Sequence, residues 1–229
     1  MAADTKHETK ADHRARIRLE HERQQQRDQQ RRRGRNLAIV AVVLIAVIGG
    51  LYAVFNRSET SSTAGGYEIG SPGIGQTAPG FSLASSTGGT TSLAQYKGKT
   101  VLLYFQEGLT CQPCWDQIRD LEQNAAQVKA AGIDQFVSLT TDPANLIARK
   151  VTDEKLTTPV LSDPDLKVSK TYEANQYGMM GTERDGHSFV LVGPDGKIQW
   201  RADYGGAPKY TMYVKVDKLL ADLKAGRTA

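Results

Sequence analysis

The chain has 229 residues, 29 Lys/Arg against 25 Asp/Glu, a net charge of +4 and two cysteines. Residues 1–36 hold 11 of the basic and 6 of the acidic side chains, leaving a nearly balanced 18 and 19 in the remainder. The basic excess therefore belongs to the leading segment, and no nucleic-acid partner is expected of the rest.

In chain order, residues 1–36, with "EHERQQQRDQQRRR" at their heart, carry no apolar face beyond Ile17 and Leu19. They cannot bury enough surface to fold alone and read as a solvated basic tail. Its arginines can also attract anionic lipid headgroups. Leu37 to Phe55 is an uncharged run of 19 residues, which as a helix reaches about 28 Å, close to a bilayer core of about 30 Å. "RRRGR" precedes it, and Arg57 after it is soon followed by Glu59. This asymmetry predicts a single transmembrane helix with a cytoplasmic N-terminus and an extracytoplasmic carboxyl domain in the cell membrane. The long polar leader and the lack of a small-x-small cleavage site make it a signal-anchor rather than a cleaved peptide. Residues 56–76, rich in Ser, Thr and Gly, read as a flexible linker with an end-to-end distance of roughly 25 Å.

Residues 77–229 leave 153 positions, enough for one domain with a full core. "VLLYF" (101–105), "FVSLT" (136–140), "SFVLV" (188–192) and "IQWRA" (198–202) predict strands, the central ones buried on both faces. Trp115, Ile118, Leu121, Ala125 and Val128 recur at helical spacing, and Gly132 stands where that helix would stop. "DPANLIARKVTDEK" and "MYVKVDKLLADLKAG" predict two more helices, and "GPDGK" (193–197) a hairpin turn. Strands alternating with helices, then a hairpin and a last helix, describe an α/β fold with a mixed sheet.

Both cysteines lie in "EGLTCQPCWDQI" (107–118), where a buried strand feeds a helix. Unpaired N–H groups and the partial positive charge of a helix start favour thiolate, the nucleophilic form of sulfur. Pro113 suits a first helical turn, where its missing donor is not needed. A purely structural disulfide is the competing reading, but so short a loop removes little chain entropy. His187 is the only histidine after the tail. That excludes a multi-histidine zinc site. His187 reads as a polar residue at a strand start, a proton-transfer partner of the thiols, or a third ligand to copper. Glu107 reads as a solvated loop carboxylate, with tuning of a nearby thiol as the alternative; Met179 and Met180 read as flexible packing residues rather than ligands, and Trp115 as core.

The segments "GQTAPGFSLASSTGGTTSLAQYKGKTVLLYF", "TTPVLSDPDLKVSKTYEA" and "SFVLVGPDGKI" resemble the redoxin group, including alkyl hydroperoxide reductase and thiol-specific antioxidant proteins, of the thioredoxin-like superfamily. The resemblance covers nearly all of residues 74–225 and implies a thioredoxin-like fold with an N-terminal β extension. It implies thiol–disulfide exchange or peroxiredoxin-type antioxidant activity, without a cofactor or a resident metal. Peroxiredoxins of the group show Pro-x-x-x-Thr-x-x-Cys; counted back from Cys111 those places hold Gly108 and Tyr104, and from Cys114 they hold Cys111 and Glu107. The membrane-tethered reductases show Trp-Cys-x-x-Cys, which Cys111-Gln112-Pro113-Cys114 matches, with Thr110 in the Trp place. The resemblance also implies a cis-proline facing the cysteines where this chain has Gly186 or His187. "GHSFVLVGPDG" is similar to the histidine segment of copper chaperones for cytochrome oxidase, whose cysteines are usually spaced by three residues rather than two.

The expectation is thus a membrane-tethered thiol–disulfide oxidoreductase acting on protein or small-molecule disulfides and thiols. Cys111 is the attacking sulfur and Cys114 the resolving one, with Thr110, Gln112 and Pro113 shaping the loop. A thiol peroxidase and a copper-binding chaperone of the same fold are the alternatives.

Overall fold

The computed structural model describes residues 66–228 and, before them, Leu44 alone. The tail of residues 1–36, the membrane span expected at Leu37–Phe55 and the first part of the linker lie otherwise outside the described residues. No helix among the described residues is long and apolar enough to cross a membrane.

Seven strands form one mixed sheet in the order β2-β1-β5-β4-β3-β6-β7. They are β1 (Ser82–Ser85), β2 (Thr90–Ser92), β3 (Val101–Phe105), β4 (Gln135–Thr140), β5 (Val160–Ser162), β6 (Ser188–Val192) and β7 (Ile198–Asp203). β3, β4 and β5 run parallel, and β6 lies antiparallel to β3 and to β7. Every residue of β3 and β6 is buried, as uninterrupted apolar runs in a sheet covered on both faces require. The β1–β2 hairpin extends the far edge through β5.

The helices are α1 (Gln112–Gln123), α2 (Ala125–Ala130), α3 (Ala144–Asp153), α4 (Lys167–Thr171) and α5 (Val216–Gly226). Strand alternation divides the core into two clusters. Leu102, Tyr104, Phe189 and Leu191 face one way and join Trp115 and Ile118 of α1, Ile147 of α3 and Leu219 of α5. Val101, Leu103, Phe105, Val190 and Val192 face the other way, against Val168, Tyr172 and Ala174. This is the thioredoxin-like arrangement, in which parallel crossovers precede a closing hairpin and helix.

Two expectations meet differences. The apolar stripe from Trp115 to Val128 predicts one helix, but the chain breaks at Asn124, whose side-chain Nδ2 donates to the Asp120 carbonyl at 2.8 Å. A short polar side chain that bonds nearby backbone offers an alternative to the helical ladder. The linker also ends earlier than its composition suggests. Tyr67 is buried against Trp200 and Tyr204, and Glu68 exchanges both backbone hydrogen bonds with Asp203. Residues 67–77 thereby cover the outer edge of β7, satisfying backbone groups that an edge strand leaves open. Under them lies a fully buried ion pair: Arg201 Nε donates to Asp203 Oδ2 at 2.8 Å, and Arg201 Nη1 to the Pro72 carbonyl.

Candidate functional site

At the end of β3 the chain turns through residues 106–110 into α1. Cys111 occupies the N-cap position and Pro113 the first turn. The two sulfurs are joined, with the Cα atoms 5.3 Å apart. Cys111 keeps 7% of its surface exposed and Cys114 none, so an incoming group meets Cys111 first. Thr110, Gln112 and Pro113 are exposed around it. Gln112 is tied to α3, accepting from Lys150 Nζ at 2.9 Å and donating to Glu154 Oε1 at 3.2 Å.

The turn is held by long-range contacts. Gly108 adopts φ +92°, and a Cβ there would lie 1.8 Å from Asp142 Oδ2. Its carbonyl accepts from the Cys111 amide and from Trp115 Nε1, each at 3.0 Å. Asp142, just beyond β4, accepts from the Leu109 amide at 2.6 Å and pairs with Arg184 Nη1 at 3.2 Å. The same Nη1 donates to the Glu107 carbonyl at 3.0 Å. Glu107 is therefore not the solvated carboxylate expected: it is buried, and its Oε1 accepts from the amides of Met179 and Met180. Pinned by their backbone, those methionines turn their side chains outward, 60% and 55% exposed, instead of packing. Trp115 is core, as its spacing predicts.

Gly186 and His187 lie at the start of β6. A Cβ on Gly186 would fall 1.7 Å from the Tyr177 carbonyl oxygen, so this place admits no side chain. The cis peptide bonds among the described residues precede Pro72 and Pro208, and neither involves Gly186 or His187. His187 is fully buried, with Nδ1 2.8 Å from the Tyr104 hydroxyl. Burial pushes its pKa down to about 3, so the ring is neutral at physiological pH and is not a proton shuttle cycling through imidazolium. Its ring neighbours Tyr104, Phe189 and Tyr204 belong to the cluster that contains Cys111 and Cys114. Among the described residues no group of three or more His, Cys, Asp or Glu is placed to hold a metal ion, so the copper reading gains nothing from the geometry.

Neighbouring Asp185 is fully buried, and neither of its carboxylate oxygens finds a hydrogen-bond partner among the described residues. Burial, reinforced by Asp163 and Asp142, pushes its carboxyl well above the usual carboxylate range; the Ser169 hydroxyl, committed to Asp163 Oδ2 at 2.6 Å, offsets this only in part. In acid both the folded and the unfolded chain carry this group protonated. As pH rises the unfolded chain ionises first, so stability falls until the folded carboxyl titrates. Asp185→Asn, which stays neutral, raises stability at pH 7 by about 1 kcal/mol or more and changes it little near pH 4. Urea midpoints at the two pH values measure this, and an equal change at both would refute it.

Gly108, Asp142 and Arg184 escape sequence reasoning. The only local signal at any of them is the Asp-Pro turn pair at Asp142-Pro143.

The comparisons with known proteins bear on this arrangement. A putative peroxiredoxin of Mycobacterium tuberculosis is 34% identical over 129 residues, covering 54% of this chain and 80% of its own length. Peroxiredoxin Bcp of Escherichia coli is 31% identical over 128 residues, 55% and 81% of the two chains. Thiol-disulfide oxidoreductase ResA of Geobacillus kaustophilus is 28% identical over 133 residues, 58% and 71%. Among solved structures, peroxidoxin BcpB from Mycobacterium tuberculosis superposes with a TM-score of 0.55 at 22% identity, covering 68% of this chain and 98% of that one, a likeness of fold. The AhpC/TSA family profile matches residues 74–201, which takes in the core strands, the cysteine turn and most of the contacts that hold it, and the chain therefore belongs to the AhpC/TSA family.

Proposed function

We propose that this oxidoreductase of the AhpC/TSA family is a thiol–disulfide exchange enzyme, tethered to the membrane through Leu37–Phe55 with its redox domain on the extracytoplasmic side. The observation that carries the exchange reading is the Cys111–Cys114 disulfide closed across the first turn of α1, with the first sulfur at the surface and the second beneath it. The tether rests on the uncharged run of 19 residues and the arginines before it.

In the dithiol form, the Cys111 thiolate attacks one sulfur of a partner disulfide and the other sulfur leaves as thiolate. The Cys114 thiolate then attacks Cys111 Sγ, which re-forms the Cys111–Cys114 bond and releases the second partner sulfur. Two electrons pass from the pair to the partner, and the reverse sequence oxidises a partner dithiol. Peroxidase activity is the second reading, favoured by relatives named peroxiredoxin. There the Cys111 thiolate takes the terminal oxygen of a hydroperoxide, releasing water or an alcohol. Cys114 then displaces water from the sulfenic acid to give the same disulfide. The places that the peroxiredoxin loop would fill with Pro and Thr hold Tyr104 and Gly108, which supports exchange.

Insulin reduction and hydrogen peroxide consumption, measured side by side with the full chain and dithiothreitol as donor, test the assignment. The expected result is turnover of insulin with peroxide consumption far slower; the opposite order replaces exchange by peroxidase activity. A reduction potential below about −300 mV would make the bridge merely structural.

A further inference from the structure

An exposed apolar side chain standing alone needs no explanation, but a group of them does. Among its described residues the domain leaves four large apolar side chains exposed: Leu146 at 38%, Met179 at 60%, Met180 at 55% and Tyr210 at 43%. Three of the four are tied by chains of direct contacts to the loop that carries Cys111.

Met179 and Met180 are tied through Glu107. Their amides donate to its Oε1 at 2.5 and 3.2 Å, and a buried carboxylate is tolerated only when it is so bonded. The backbone is thus fixed with both side chains standing outward. Leu146 is tied through α3. That helix begins beside Asp142, whose Oδ2 accepts from the Leu109 amide at 2.6 Å. One turn after Leu146, Lys150 Nζ donates to Gln112 Oε1 at 2.9 Å. Residues four apart share a helix face, so Leu146 lies on the face of α3 turned to the loop, between contacts at Leu109 and Gln112, which bracket Cys111. Gly108 to Cys111 closes as a β-turn through the Cys111 amide, which keeps the ends of that turn within about 7 Å. A macromolecular partner bonded to Cys111 covers about 800 Å² of this chain, a disc roughly 16 Å in radius, and such a footprint takes in both sides of the loop.

The nearby charges favour one kind of occupant. Among the described residues two cations touch the loop, Arg184 at the Glu107 carbonyl and Lys150 at Gln112. Each is committed to a carboxylate, Asp142 at 3.2 Å and Glu154 at 2.6 Å. Glu183, exposed three residues beyond Met180, forms no ion pair among the described residues. A small anionic disulfide therefore meets no free cation at the loop and one free carboxylate near it. An uncharged apolar segment meets side chains suited to it, since flexible thioethers adapt to varied apolar surfaces.

Resting on the exchange reading above, we infer that Met179, Met180 and Leu146 are the recognition surface of the redox site, and that its partner is a protein segment whose disulfide sits among apolar, uncharged residues. Such flanks are buried in most folded proteins, so an incompletely folded chain is the form that presents them.

The test uses the full chain and three probes: oxidised glutathione and the disulfide-linked dimers of two short peptides, one with leucine and phenylalanine beside its cysteine, the other with serine and glutamate. Expected in the wild type is a kcat/KM at least tenfold higher for the apolar dimer than for either of the others. In the double variant Met179→Ser, Met180→Ser that ratio falls by about tenfold. The pair Met179→Leu, Met180→Leu keeps it within about threefold. Because backbone amides rather than side chains hold Glu107, both variants retain the loop. A second measurement needs no chemistry at sulfur. With methionine methyl groups labelled with 13C, the Met179 and Met180 signals, identified by their loss in the single leucine variants, move when a serine-for-cysteine copy of the apolar peptide is added, and that of buried Met212 does not.

Methyl signals that ignore the peptide overturn the inference, as does a ratio unaltered in the serine variant. Signals that shift instead with the concentration of the chain give the patch to a second copy, and signals that shift with phosphatidylcholine vesicles give it to a lipid surface; either result overturns it as well. Absence of turnover with every probe and with insulin ends the exchange reading, while the methyl signals still decide whether the patch binds an apolar segment.

Discussion

Cys111→Ser loses insulin reduction by on the order of 10⁴-fold or more, because a serine hydroxyl at a helix start is not ionised at neutral pH and cannot displace a sulfur. Cys114→Ser behaves differently. Cys111 still attacks, but nothing resolves the mixed disulfide, so a one-to-one covalent adduct with the partner accumulates on non-reducing gels and turnover stops after one event. Unfolding does not explain either loss. A bridge that closes a four-residue loop is worth about 2 kcal/mol in the chain-entropy estimate, well under the usual stability of a domain of this size. Cys114 sits beneath the first turn with no exposed surface while Cys111 retains some, and on this difference rests the proposal that Cys111 attacks and Cys114 resolves. Equal adduct formation by both single variants would reverse or abolish the assignment, and undiminished turnover in both would end the exchange mechanism.

Gly108→Ala carries the largest expected effect outside the cysteines. The residue has φ +92°, and an added Cβ would stand 1.8 Å from Asp142 Oδ2 and 2.4 Å from Thr140 Oγ1. Asp142 cannot retreat without releasing the Leu109 amide and the Arg184 guanidinium, both of which brace the turn into Cys111. Overpacking and backbone strain together destabilise the domain by about 3–5 kcal/mol. Exchange activity falls with it, since the turn that presents Cys111 is displaced. Gly196→Ala is the control. Gly196 has a similar φ of +81° in the β6–β7 turn but nothing within 4 Å of an added Cβ, so it loses only about 1 kcal/mol. Denaturant midpoints of the two variants separate steric from conformational strain, and equal losses would remove the role assigned to Asp142.

How much of this was legible beforehand depends on how far apart the partners lie. The strands at residues 101–105 and 188–192 were readable to the residue, because central strands covered on both faces write an unbroken apolar run into the chain. The redox pair was readable too, since strand, turn, Cys-x-x-Cys and first helical turn are consecutive. Helical periodicity identified the buried face of α1 but not its break, which turns on one side-chain hydrogen bond from Asn124 to Asp120. Composition described residues 56–76 as linker, although Tyr67 inserts into the core, because a Ser- and Gly-rich context does not reveal an unpaired strand edge waiting to be covered.

By itself, then, the amino-acid order determined the strands at 101–105, 136–140, 188–192 and 198–202, the helices that begin near residues 112, 144 and 216, and the place of the two sulfurs at a helix start, but not the short strands β1, β2 and β5 or the short helix α4. Periodicity and local turn chemistry act between neighbours and need no knowledge of the fold. Only the tertiary structure decided what surrounds those sulfurs. Leu109 meets Asp142 across 33 positions, Arg184 meets Asp142 across 42, and Tyr104 meets His187 across 83. Each contact is made by a polar side chain that looks solvated in the one-dimensional chain and becomes buried and paired only when the parallel crossovers and the returning β6 bring distant turns to the same end of the sheet.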